Sequence, residues 1–279
     1  MAKTNSIDRP GLDYLSYRGP HQVAYGRTDE VGLPGFVFAP VSGTALPVIA
    51  LGPGWLQPAH RYSDTMRYLA SWGFVVVAPD TGKRPIPDPG GLALDLRNAL
   101  DLMTAARLGG DRVRADGDKR GVLGHSVGGG AAVLAAADDP GIGAVVTVTA
   151  AATTPSAVEA ATRVRVPGLH LVGDDDEMAG EGTESAGAAI AAAWAGEAQL
   201  RTLKGVGHYG LPEGKHWSTA LMGSSGVKRA QQVTRALATA WFLRHLSDQD
   251  QLADELEDKY SGTTLEDLDE VRASLRDDD

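Results

Sequence analysis

Cysteine is absent from the 279 residues, which excludes disulfides, thiolate metal sites and a cysteine nucleophile together. Long apolar runs are absent as well. No stretch approaches the roughly 18 unbroken apolar residues of a membrane-spanning helix, and residues 1–10 hold no apolar run of signal-peptide length. The expectation is a soluble, cytoplasmic protein with no membrane span. There is no excess of positive charge, with 26 basic against 36 acidic side chains. The acids crowd one end: residues 247–279 carry 13 of them against three bases, leaving 23 acids and 23 bases in residues 1–246. A formally neutral body offers no broad basic face, so nucleic acid is not an expected partner. Residues 247–279 read as an acidic, partly helical tail that is solvated and aids solubility, with a partner-docking segment as the alternative. No linker rich in proline or serine divides the rest, and no repeat of 20 to 50 residues is present, so residues 1–246 are expected to form one domain.

What is present is alternation. Short β-rich runs at 22–25, 35–39 and 47–51 are each closed by turn residues. A helical stretch over 61–72 leads into the apolar run 74–78, and another over 92–106 leads into 121–123. The alanine-rich 131–137 precedes 143–148, and 169–172 follows. A helix over 185–195, a strand at 199–203 and a helix over 227–246 complete the pattern. Apolar strands alternating with helices predict an α/β fold, with a mostly parallel central sheet covered by helices on both faces.

Gly124-His125-Ser126-Val127-Gly128 is a G-x-S-x-G sequence, extended by Gly129 and Gly130. With 35 glycines in 279 residues the pattern is weak alone. Its context is specific: an apolar strand enters it and a small-residue helix leaves it, the arrangement of a nucleophile elbow. The serine needs a base, and the base an orienting acid. In the α/β-hydrolase fold these follow the serine in the order acid, then histidine. His170 lies within an apolar run and His245 in the last helix, which suits structural roles. His208, in the glycine-rich 205–210, is the favoured base, with His216 as the alternative. The acid is expected after 169–172, where Asp174, Asp175 and Asp176 are adjacent and spacing does not choose among them. Oxygen-ligand metal loops space their carboxylates, and this run does not, so no metal is expected there.

The elbow, the block Gly52-Pro53-Gly54-Trp55, the segment 69–81 and Val166-Pro167-Gly168-Leu169 resemble the bacterial cutinase and polyester hydrolase branch of the α/β-hydrolases, near chlorophyllases and dienelactone hydrolase-like esterases. The resemblance spans about residues 20–250. It implies a serine carboxylic-ester hydrolase that works through an acyl-enzyme on a small-molecule or oligomeric ester and needs no cofactor. Asp176-Glu177-Met178-Ala179 matches the family's spacing after its acid and so selects Asp176, with Ser126 and His208 completing the triad. The resemblance assigns the oxyanion hole to the backbone N–H groups of Trp55 and Val127. His125 and Trp217 are the candidates for the substrate pocket. Alternatives on the same fold are a non-catalytic binding protein and an acyltransferase or thioesterase. Two features depart from the family. The loop that in aromatic-polyester hydrolases holds a tryptophan reads Ala150-Ala151-Ala152-Thr153-Thr154-Pro155 here, and residues 210–226, containing His216 and Trp217, form an insertion after His208 that is expected to narrow the pocket.

Overall fold

The computed structural model describes residues 11–81, 85–213 and 227–277. Among them, nine strands form one sheet: β1 (Val23–Arg27), β2 (Gly35–Pro40), β3 (Gly43–Gly52), β4 (Val75–Pro79), β5 (Val113–His125), β6 (Ile142–Val148), β7 (Gly168–Gly173), β8 (Ala198–Leu203) and β9 (Thr263–Leu265). Their order across the sheet is β1-β2-β4-β3-β5-β6-β7-β8-β9. Pairing is parallel from β4 through β3, β5, β6 and β7 to β8. Antiparallel neighbours close both sides, with β1 and β2 at one and β9 at the other. The helices are α1 (Ser63–Ser71), α2 (Pro89–Ala105), α3 (Val127–Asp138), α4 (Ala157–Ala161), α5 (Ala186–Ala193), α6 (Val227–Leu246), α7 (Leu252–Glu257) and α8 (Leu268–Asp277). None of the described helices is long and apolar enough to cross a membrane.

Side chains alternate across each strand, so an apolar run feeds two cores at once. In β3, Ile49 and Leu51 join Leu69 of α1 and Trp241 and Phe242 of α6 on one face. Val48 and Ala50 join Leu96 and Leu100 of α2 and Ala131 and Ala132 of α3 on the other. In β4, Val76 and Ala78 split from Val75 and Val77 in the same way. Strand β5 is longer than its apolar run, because Val113 and Ala115 pair with Gly43 and Leu46 of an equally extended β3. The polar residues between them hide this half of the strand from a hydropathy reading.

Residues 247–277 are not a solvated appendage, and the expected boundary at 246 does not divide the structure. Leu252 and Leu256 of α7 are buried in the core beneath α6. Thr263, Thr264 and Leu265 of β9 pair with Leu203, Thr202 and Arg201 of β8. Val271 of α8 is buried with Ala188 and Ala191 of α5, and Leu268 and Leu275 pack beside it. The spacing 268, 271, 275 is a helical stripe; the surrounding acids face outward and mask it in any count of charge. Arg201 of β8 fastens this segment to the body. Its side chain is fully buried and donates to Gln199 Oε1 at 3.0 Å, Thr263 Oγ1 at 3.1 Å and the backbone carbonyls of Leu256 and Asp258.

Removing residues 247–279 uncovers the apolar surface against which Leu252, Leu256 and Val271 pack and leaves Arg201 with only Gln199 of its four acceptors. At about 1.5–3 kcal/mol for each large apolar side chain, the thermal unfolding midpoint should fall by about 10 °C. Calorimetry of the truncated protein checks this; an unchanged midpoint would show that the segment is not docked.

Candidate active site

The site lies where β5 ends and α3 begins. Ser126, between them, has φ 56° and ψ −124°, a backbone region that non-glycine residues occupy only under constraint. Space around the turn demands glycine: a Cβ on Gly124 would stand 2.0 Å from the Gly128 carbonyl oxygen, and one on Gly128 would stand 2.1 Å from that of Gly52. The Ser126 N–H donates to the Val148 carbonyl at 3.0 Å, while its carbonyl accepts from the Gly129 and Ala151 N–H groups at 2.9 and 3.1 Å. The side chain is thereby raised above the ends of the parallel strands, at the N-terminus of α3.

His208 Nε2 stands 2.7 Å from Ser126 Oγ, and His208 Nδ1 stands 3.1 and 3.0 Å from the two carboxylate oxygens of Asp176. A carboxylate only accepts, so Nδ1 carries the proton and Nε2 presents its lone pair to the serine hydroxyl. The three residues that the sequence reading selected are thus brought into one hydrogen-bonded chain. The adjacent aspartates are separated by the turn: Asp174 Oδ1 accepts from the Gly205 and Val206 N–H groups, Asp175 is exposed, and Asp176 is buried. Burial pushes the Asp176 carboxyl upward. The hydrogen bond and charge of His208, with the N–H groups of Ala179 and Met178 at 3.0 Å, outweigh it and hold the group below its usual value.

Val127 is the first residue of α3, so its N–H belongs to the helix turn that has no intrahelical acceptor. Trp55 follows β3 and is 42% exposed, which makes it a wall facing solvent rather than a core aromatic. It joins Val127, Gly54, Thr81, Ile86 and Leu92 around a cavity of about 210 Å³. His125, expected to face the pocket, does not. It is fully buried below the triad, where its ring contacts Tyr62 and the backbone of His208. Strand alternation accounts for this, since Ser126 is turned outward by its backbone while His125 completes β5. Trp217 and His216 lie outside the described residues, as does the insertion from 214 onward.

The described start of that insertion is firmly held, by residues that the sequence reading did not single out. Glu213 accepts from the N–H groups of Asp64 and Thr65 in the first turn of α1 at 2.6 and 2.7 Å, and pairs with Arg235 of α6 at 2.8 Å. Arg61 Nε donates to the Glu213 carbonyl at 3.0 Å, and Arg61 also donates to Gln57 beyond Trp55. Burial raises the Glu213 carboxyl despite these donors. The loop after His208 is therefore tied to the loop that carries Trp55.

A serine at a strand-turn-helix elbow, a histidine and an aspartate in that chain order, and a largely parallel sheet define an α/β-hydrolase fold. Residues 14–236 match the family model described as PETase, PET hydrolase-like, and the chain belongs to that family. It is 31% identical over 135 residues to cutinase est1 of Thermobifida alba, covering 47% of this chain and 45% of that protein. It is 30% identical to cutinase cut1 of Thermobifida fusca, covering 47% and 42%. Against the bis(hydroxyethyl) terephthalate hydrolase of Streptomyces coelicolor it is 30% identical over 138 residues, covering 47% and 44%. The chain thus spans about half the length of the curated relatives it matches.

Acid should weaken the fold. Burial holds His125 and His170 at about 3 and His245 at about 4, whereas the unfolded chain binds these protons near 6.5. Between those limits the unfolded state carries more protons, so stability is present above about 6.5 and lost as pH falls toward 3. The depressed Asp176 acts in the same direction at the acid end, and the raised Glu213 opposes it. Urea midpoints measured from pH 7.5 to 4 should decline steadily; a level curve would contradict burial of neutral histidines.

Proposed function

We propose that this protein is a serine carboxylic-ester hydrolase acting through an acyl-enzyme. The carrying observation is the unbroken hydrogen-bonded chain from Ser126 through His208 to Asp176 at a strained turn. Ser126 Oγ attacks the ester carbonyl while His208 Nε2 takes its proton. Asp176 keeps the imidazole in the required tautomer and stabilises the imidazolium. The N–H groups of Trp55 and Val127 receive the oxyanion, and both are fixed before charge develops. Collapse of the tetrahedral intermediate expels the alcohol, which takes the proton from His208. Water, deprotonated by the same imidazole, then attacks the acyl-enzyme and releases the acid, restoring Ser126.

The names of the relatives, cutinases and a terephthalate-ester hydrolase, support an ester as substrate. The cavity beside Trp55 and Val127 has room for a short or medium acyl chain. At the loop of residues 150–155 there is no aromatic side chain to stack on an aromatic ring, which favours aliphatic acyl groups over terephthalate.

Intact-protein mass after incubation with a fluorophosphonate tests the reading. One adduct is expected on the wild type and none on Ser126→Ala. That variant should hydrolyse p-nitrophenyl butyrate at least about 10⁴-fold more slowly. Turnover that survives the substitution would sink the assignment.

A further inference from the structure

Below the triad runs a second chain of hydrogen bonds, and each of its donors can be assigned. The Gly54 N–H donates to Tyr62 Oη at 3.0 Å. Tyr62 Oη lies 2.8 Å from His125 Nδ1, and His125 Nε2 lies 2.8 Å from the backbone carbonyl of His208. That carbonyl can only accept, so Nε2 carries the proton of a neutral ring, Nδ1 is the acceptor, and the tyrosine hydroxyl donates to it. Thr149 Oγ1 donates to the same carbonyl at 3.3 Å. Tyr62 and His125 are both fully buried, and neither faces the cavity.

We propose that Tyr62 and His125 form a relay that fixes the catalytic histidine and the oxyanion loop relative to each other, making both positioning residues for the reaction. This rests on the ester-hydrolase reading above. One end of the relay is the N–H of Gly54, the residue before Trp55, to which the reading above gives an oxyanion donor. The other end is the backbone of His208 itself. The middle is the residue preceding the nucleophile. Three segments far apart in sequence thus share one register, set by a single imidazole.

Direction is what makes the relay informative. Were Tyr62 unable to donate, Nδ1 would lose its donor and only the His208 carbonyl would hold the proton on Nε2. The alternative tautomer would aim the Nε2 lone pair at the His208 carbonyl oxygen, and the two would repel. Burial keeps His125 neutral, holding it at about 3, and raises the Tyr62 hydroxyl so that it keeps its proton. The close approach is built into the backbone as well, since a Cβ on Gly54 would stand 2.9 Å from His125 Nδ1.

The experiment combines Tyr62→Phe, His125→Gln and the double variant with nitrogen NMR of the histidine rings. Wild-type His125 should appear as the Nε2–H tautomer, and Tyr62→Phe should change that signal. A wild-type ring protonated on Nδ1, or one indifferent to Tyr62→Phe, overturns the relay whether or not the protein hydrolyses esters. Kinetically, with p-nitrophenyl butyrate and active sites counted by fluorophosphonate, Tyr62→Phe should lower kcat per titrated site about 10- to 100-fold with KM unchanged. A merely structural role would lower the titrated fraction or the melting temperature and leave kcat per site intact, and that result also overturns the relay. The glutamine side chain donates an N–H with no tautomer to set. Tyr62→Phe should therefore cost less in the His125→Gln background than in the wild type; equal costs contradict coupling. Absence of a fluorophosphonate adduct on the wild type would refute the ester-hydrolase reading and with it the catalytic purpose of the relay, while the tautomer measurement still decides whether the relay exists.

Discussion

Everything in this structure turns on one backbone conformation, that of Ser126. A side chain held at positive φ between a strand and a helix survives only where its surroundings over-determine it. Here the strands on either side of β5, the glycines that let α3 close against β3, and hydrogen bonds to Val148, Gly129 and Ala151 supply that constraint. The parallel sheet serves as the rigid base, and the loops at the ends of β3, β7 and β8 bring Trp55, Asp176 and His208 toward the turn at Ser126. Stability is concentrated in the sheet and spent, in part, at the turn.

The electrostatics follow from depth. Asp176 and His208, buried beside Ser126, are supplied with donors and acceptors. One layer lower, His125 and Tyr62 are kept in their neutral forms by burial, so they can hold geometry without competing for the proton in transit. The ion pair of Glu213 with Arg235 stands to the side and binds helices rather than chemistry. A proton taken by His208 therefore meets one carboxylate in front and uncharged rings beneath.

Much of this was legible in the sequence, for physical reasons that can be named. The core strands at 74–78 and 121–123 announce themselves because burial on both faces favours apolar runs, and the helix over 227–246 was bounded correctly. The elbow was readable because only glycine fits its close approaches. The choice among Asp174, Asp175 and Asp176 was not readable from spacing, since it depends on which carboxylate the turn after β7 directs inward. His125 was misplaced because proximity to the serine in sequence says nothing about a side chain when the backbone reverses direction between the two residues. The segment after 246 was misread because charge dominates its composition, while the three-residue β9 and the stripe of Leu268, Val271 and Leu275 that dock it are too sparse to alter any average.

The position of β9 carries a consequence for how the chain reaches its fold. During synthesis residues 263–265 emerge after every other strand of the sheet, so β8 presents an open row of backbone donors and acceptors until they arrive. Such a row invites pairing with a neighbouring chain. The strand that eventually covers it is very short and is followed at once by Glu266 and Asp267. Its length offers a second molecule little to extend, and the two carboxylates repel another copy carrying the same charges. The acidity of this segment thus acts at one place, as a guard on the finished border of the sheet.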